Sequence, residues 1–196
     1  MNRWLRTIIQ GDMFYLIAFG LLTPIFALFL IDRIPNASLL TVGIAEAIFL
    51  MTLAILRPFT QLSSQSDTKG FRTQYLLWFG SALIVLAPFL YLLSRDMLDI
   101  YVIQMIYGIG VAFCEPAWSR LVSQTCAISP TKYNEPYYTT GTLAAAGLAA
   151  MGGFIAQEQG IPALLIYVGA TLFCAAIIMI LIYNRIGLKT HKQQLW

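Results

Sequence analysis

Residues 161–183 read IPALLIYVGATLFCAAIIMILIY, a run without one Asp, Glu, Lys or Arg. At 1.5 Å of rise per residue, about 20 residues cross a hydrocarbon layer of about 30 Å, and this run is long enough to do so. It lacks the period-two alternation and the short length of a membrane-barrel strand, so its backbone groups must bond to one another within a helix. The stretch therefore reads as a transmembrane helix, and it sets the solvent in which the rest of the chain is interpreted.

Five further runs match it: 13–31 (MFYLIAFGLLTPIFALFLI), 39–56 (LLTVGIAEAIFLMTLAIL), 75–93 (YLLWFGSALIVLAPFLYLL), 100–118 (IYVIQMIYGIGVAFCEPAW) and 137–156 (YYTTGTLAAAGLAAMGGFIA). Across all 196 residues, 59% are hydrophobic and 11% charged, and the mean hydropathy is +0.73. A water-soluble globule of this size has no interior large enough to hide so much apolar surface. The expectation is an all-α integral membrane protein, with residues 1–196 forming a single domain of six transmembrane helices. Arg3 and Arg6 before the first run suggest a signal peptide, but the run is too long for one and lacks a small-x-small cleavage site. It is read as an uncleaved first helix.

Orientation follows from the cations. With the N-terminus inside, Arg3, Arg6, Arg57, Lys69, Arg72, Arg120, Lys132, Arg185, Lys189 and Lys192 are all cytoplasmic, leaving Arg33 and Arg95 outside. That asymmetry obeys the positive-inside rule and puts both termini in the cytoplasm of a plasma (inner) membrane protein. The net charge of +3 is then a topological bias and calls for no nucleic-acid partner; the chain's surroundings are membrane lipid. The connections read as 32–38, 94–99 and 157–160 outside, with 57–74 and 119–136 inside.

Pro24, Pro88 and Pro116 fall inside apolar runs, where neighbouring groups in a membrane bundle can satisfy the freed carbonyl. Kinks or rocking hinges both follow from them. In the fifth run Ala145, Ala149 and Gly153 recur every four residues, a spacing that admits another backbone closely and predicts tight helix packing there. Cys114, Cys126 and Cys174 form no CxxC pair and no metal-ligand spacing, and His191, the only histidine, lies in a basic tail. Neither a metal site nor a cofactor is expected. An enzyme is not expected either: there is no GxSG-type serine, no HExxH, no membrane-protease aspartate pair and no histidine within a span.

Polar side chains inside the spans are the candidate site. Glu46 in the second helix and Glu115 in the fourth are costly in hydrocarbon and so belong against a bundle interior or a cavity. Glu115 and Arg120 do not share a helical face, whereas Arg57, at the cytoplasmic end of the second helix, lies at comparable depth and is the expected partner of Glu115. The pair could be a structural clamp or part of a transport site. No cation at Glu46's depth is legible, so this side chain is either protonated or lines a water-filled cavity. Gln104 is the third cavity candidate, with a helix-to-helix hydrogen bond as its plainer role.

The polar dozen at 63–74, SSQSDTKGFRTQ, supplies the remaining candidates. It resembles the signature loop of the major facilitator superfamily, Gly-x-Leu-Ala-Asp-Arg-x-Gly-Arg-Arg/Lys: Ser63 stands at the first Gly, Asp67 at the Asp, Gly70 at the second Gly and Arg72 at the last basic position. Gln65, Thr68 and Phe71 depart from it. The fourth run is similar to that family's fourth helix in Gly108, Gly110 and Pro116, but carries Gln104 and Tyr107 where the family has Arg and Gln. Gly152–Gly153 is similar to the end of a drug-antiporter motif whose Gly-Pro is here Leu148–Ala149.

The resemblance implies the N-terminal six-helix half of a transporter, built as a 3+3 inverted repeat. Asp67, Gly70, Arg72 and Arg57 would then form a cytoplasmic gate, and Glu46, Gln104 and Glu115 would line a cavity. Such a half has one cavity wall, so the expected function is transport of a small-molecule solute by rocking-bundle alternating access, as a homodimer. The rival expectation is a non-transporting six-helix scaffold, or one half of a split transporter that needs a partner half.

Overall fold

In the computed structural model, which describes residues 26–66, 71–126 and 131–193, every regular element is helical. Residues 26–33 form α1, followed by α2 (Leu39–Ser66), α3 (Phe71–Leu93), α4 (Met97–Cys126), α5 (Thr131–Gln159) and α6 (Ile161–Gln193). Four of these, α2, α3, α4 and α6, are long and apolar enough to cross a membrane by length and composition. The expected span at 137–156 lies within α5, which is not one of the four. Most of the expected first span, Pro24 included, lies outside the described residues.

The expected connections at 57–74 and 119–136 require correction. The helix of α2 continues through Arg57 to Ser66 and α3 begins at Phe71, while α4 reaches Cys126 and α5 starts at Thr131. Likewise Met97–Asp99 is the first turn of α4, and only Gly160 separates α5 from α6. Hydropathy marks the apolar part of a helix, not where its hydrogen bonding stops; at 28 residues, α2 is about 42 Å long, well beyond the thickness of an apolar layer.

Local chemistry sets the ends. Ser38 and Thr41 cap α2 reciprocally: the Ser38 amide donates to Thr41 Oγ1 at 2.8 Å and the Thr41 amide to Ser38 Oγ at 3.3 Å. Asp99 reaches back to accept from the Arg95 and Asp96 amides at the start of α4. Gly160, at φ +83°, makes the left-handed turn that ends α5.

Helix directions follow from cross-contacts. Arg33 Nη2 donates to Leu92 O at 3.1 Å, joining the end of α1 to the end of α3, and Gln74 Nε2 donates to Asn184 Oδ1 at 2.8 Å, joining the start of α3 to the late part of α6. Arg33 and Arg95 therefore share one end of the bundle, and Arg57 and Arg72 the other.

The helix α4 is the hub, packed against α2 and α3, and α3 also meets α6. The α3–α4 crossing is a backbone approach: a Cβ placed on Gly80 would lie 2.6 Å from Gly110 O, and one on Gly110 3.0 Å from Gly80 O. Such contact substitutes for the hydrophobic drive that lipid removes. One apolar core (Leu77, Ile84, Cys114, Trp118, Val168) fills the α3–α4–α6 interior. The other (Phe29, Ala45, Tyr91, Ile103) brings in α1 and α2.

Of the small residues expected to pack tightly in α5, Ala145 and Ala149 are half-buried and Gly152 is buried, while two glycines meet no close neighbour among the described residues. Gly147 and Gly153 have nothing within 4 Å of a built Cβ, and Leu143, Met151 and Phe154 are exposed. Small residues permit a close approach but do not require one; here the approach is made by Gly80, Gly108 and Gly110.

Candidate functional site

Two parallel helices, α2 and α4, form a seam that carries most of the polar candidates. A Cβ on Gly108 would lie 3.0 Å from both Phe49 O and Thr52 Cβ, so glycine is what lets α4 come this close to α2. Beside it the Phe49 and Tyr107 rings stack, with centroids 5.1 Å apart and planes at 23°.

Further along, Pro116 has no N–H for the carbonyl of Ala112 one turn earlier. Thr60 of α2 supplies the donor instead: its Oγ1 lies 2.7 Å from Ala112 O, a buried bond. The proline is thus accommodated across the seam rather than within its own helix. At the same end Arg57 Nη2 forms an ion pair with Glu115 Oε1, with side chains 50% and 37% exposed. That exposure limits the pair's contribution to stability, which solvent screens.

The parallel register also places the other two cavity candidates. Glu46 precedes Arg57 by the same stretch of chain that separates Gln104 from Glu115, three turns of helix in each case. Glu46 of α2 and Gln104 of α4 are therefore level with each other, about 16 Å up the seam from the ion pair. Gln104 is buried, at 3% exposure. Glu46 is exposed.

Of the gate candidates, Asp67 and Gly70 lie outside the described residues. Arg72 is exposed in the first turn of α3, and Arg57 belongs to the seam rather than to a loop. Sequence reasoning missed Thr60 and the Phe49–Tyr107 stack. A hydroxyl four residues past the end of an apolar run is unremarkable until the register shows which carbonyl it faces. Among the described residues no group of three or more His, Cys, Asp or Glu could hold a metal ion.

The fold and seam are those of a helical protein whose four long apolar helices are compatible with multiple membrane crossings. Compared with protein-family models, curated proteins and solved structures, the chain matches none.

Proposed function

We propose that this chain is a six-helix, facilitator-type carrier half that moves a small solute by rocking-bundle alternating access, with a second copy supplying the opposite cavity wall. One observation carries the reading. Only 6% of the most apolar stretch of α2 is buried, against 39%, 44% and 44% in α3, α4 and α6, and its uncovered surface is of two kinds.

At 100° per residue, Ile44, Met51, Ile55 and Leu62 share one exposed strip, suited to lipid tails. The adjoining strip holds Gly43, Glu46, Ala47, Ala54, Arg57 and Gln61, with Leu39 and Leu50 as its large apolar members, all exposed. A carboxylate and a guanidinium on that strip are costly against hydrocarbon, and small residues offer lipid little contact area. The strip suits a water-filled cavity and an opposing protein wall.

Two further observations support the architecture. An inverted repeat that maps helices 1–3 onto 4–6 carries the α3–α6 contact onto itself and the α2–α3 contact onto α5–α6, and all of these are present. The division of cations between the bundle's ends fits a chain with both termini in the cytoplasm of the inner membrane, spanning it six times. Parallel repeats then allow two copies in one orientation to close around a two-fold axis.

Native mass in nanodiscs, combined with disulfide cross-linking in membranes, tests the reading. In a Cys174→Ser background, Ala54→Cys is expected to cross-link between copies and Ile55→Cys is not. A strict monomer without cross-links overturns the two-copy carrier and favours a partner half or a scaffold.

A further inference from the structure

We propose that Glu46, Gln104 and the stacked Phe49–Tyr107 rings form a binding site for a small organic cation, an ammonium or amidinium type of solute. This deepens the carrier reading and rests on it, since it names the class of solute that the uncovered strip of α2 would meet.

The placement comes from the seam. Glu46 and Phe49 are one turn apart on α2, Gln104 and Tyr107 are one turn apart on α4, and the two aromatic rings stack directly. The register that joins Arg57 to Glu115 sets Glu46 level with Gln104 along the seam. One small region thus holds a carboxylate, a carboxamide and two π faces.

The charge balance gives the ligand its sign. Arg57, the other charged side chain on α2, is already neutralised by Glu115. Glu46 has no ion-pair partner among the described residues, so the strip presents one net negative charge at this depth. A cation that reaches it exchanges part of its hydration shell for a carboxylate partner.

The company of Glu46 decides which cation. A hard metal ion needs six or more oxygen ligands, and this site offers one carboxylate and one amide oxygen. No group of three His, Cys, Asp or Glu side chains lies among the described residues to complete such a shell. Aromatic faces instead favour weakly hydrated, polarisable cations. The outer side is the exposed strip itself, where Gly43 has nothing within 4 Å of a built Cβ, leaving an approach for the solute.

The test uses the purified full chain and tetraethylammonium, with glucose and benzoate as neutral and anionic comparisons. Tetraethylammonium is expected to raise the melting temperature saturably and the comparisons to leave it unchanged. In Glu46→Gln the apparent Kd is expected to rise about tenfold or more, while Glu158→Gln, an exposed carboxylate on α5, keeps the shift. If Glu46→Gln does not fold, labelling of the intact protein by dicyclohexylcarbodiimide, read by mass spectrometry, replaces it: tetraethylammonium should protect Glu46. A shift that survives in Glu46→Gln, a larger shift from glucose or benzoate, or labelling at Glu46 that tetraethylammonium does not slow overturns the proposal. Because binding is read on the purified chain, a cross-linked dimer that binds no cation refutes the solute class alone. A monomer that binds the cation refutes the two-copy arrangement alone.

Discussion

Replacing Thr60 with Val keeps the branched shape of the side chain and deletes the hydroxyl that reaches Ala112 O at 2.7 Å. That carbonyl has no donor within its own helix because residue 116 is proline. Side-chain hydrogen bonds between membrane helices contribute about 0.6 kcal/mol on average and up to about 1.7, and a buried acceptor left without any donor costs about 1–3 kcal/mol. Thr60→Val should therefore destabilise the fold by about 1–2 kcal/mol. In a Pro116→Ala background an amide N–H returns at position 116 and bonds to Ala112 O within the helix. There the same Thr60→Val change should cost less than about 0.5 kcal/mol. The coupling of about 1 kcal/mol exceeds the roughly 0.3–0.5 kcal/mol scatter of independent sites. Unfolding of the four proteins by SDS titration in mixed micelles, followed by helical circular dichroism, measures it. Equal cost of Thr60→Val in both backgrounds would refute the assignment of Thr60 as the donor that replaces the proline's missing amide.

The glycines give a contrast within one bundle: Gly80→Ala puts a methyl 2.6–2.7 Å from the backbone at Gly110 and Cys114 and should cost about 1–3 kcal/mol. Gly153→Ala, with open space around it, should be neutral or stabilising by up to about 1 kcal/mol, as read by the same titration. Arg57→Glu and Glu115→Arg should each lower the melting temperature and the double exchange should recover most of the loss, to an extent limited by the exposure of the pair; a double exchange no better than the singles would count against the ion pair. Gly160→Ala places a methyl at φ +83° and should destabilise by about 1–2 kcal/mol, with faster amide exchange confined to the α5–α6 turn as its signature.

Much of the candidate site was legible because charge is rare in this sequence. Glu46, Glu115 and Arg57 stand out in apolar surroundings, and matching their depths was enough to pair Arg57 with Glu115, as the structure does. Thr60 was not legible, since threonine is common in such helices and its role depends on a proline in another helix. The small residues of α5 were legible only in part, for a related reason. Spacing shows that a face can be approached, and only the fold shows whether another helix approaches it.

The helical class followed from composition and run length alone. In a chain this apolar, every backbone group must bond internally, and the runs are too long and too uniform for strands. The sequence also marked which charged residues interrupt apolar runs, because charge is rare in this chain. Helix ends, helix partners and the α2–α4 register were decided by the tertiary structure. Lipid is as apolar as leucine, so hydropathy alone gives no reason for one helix to choose another. That choice rests on where glycine lets backbones meet and on which hydroxyl or guanidinium can answer a freed carbonyl or a carboxylate.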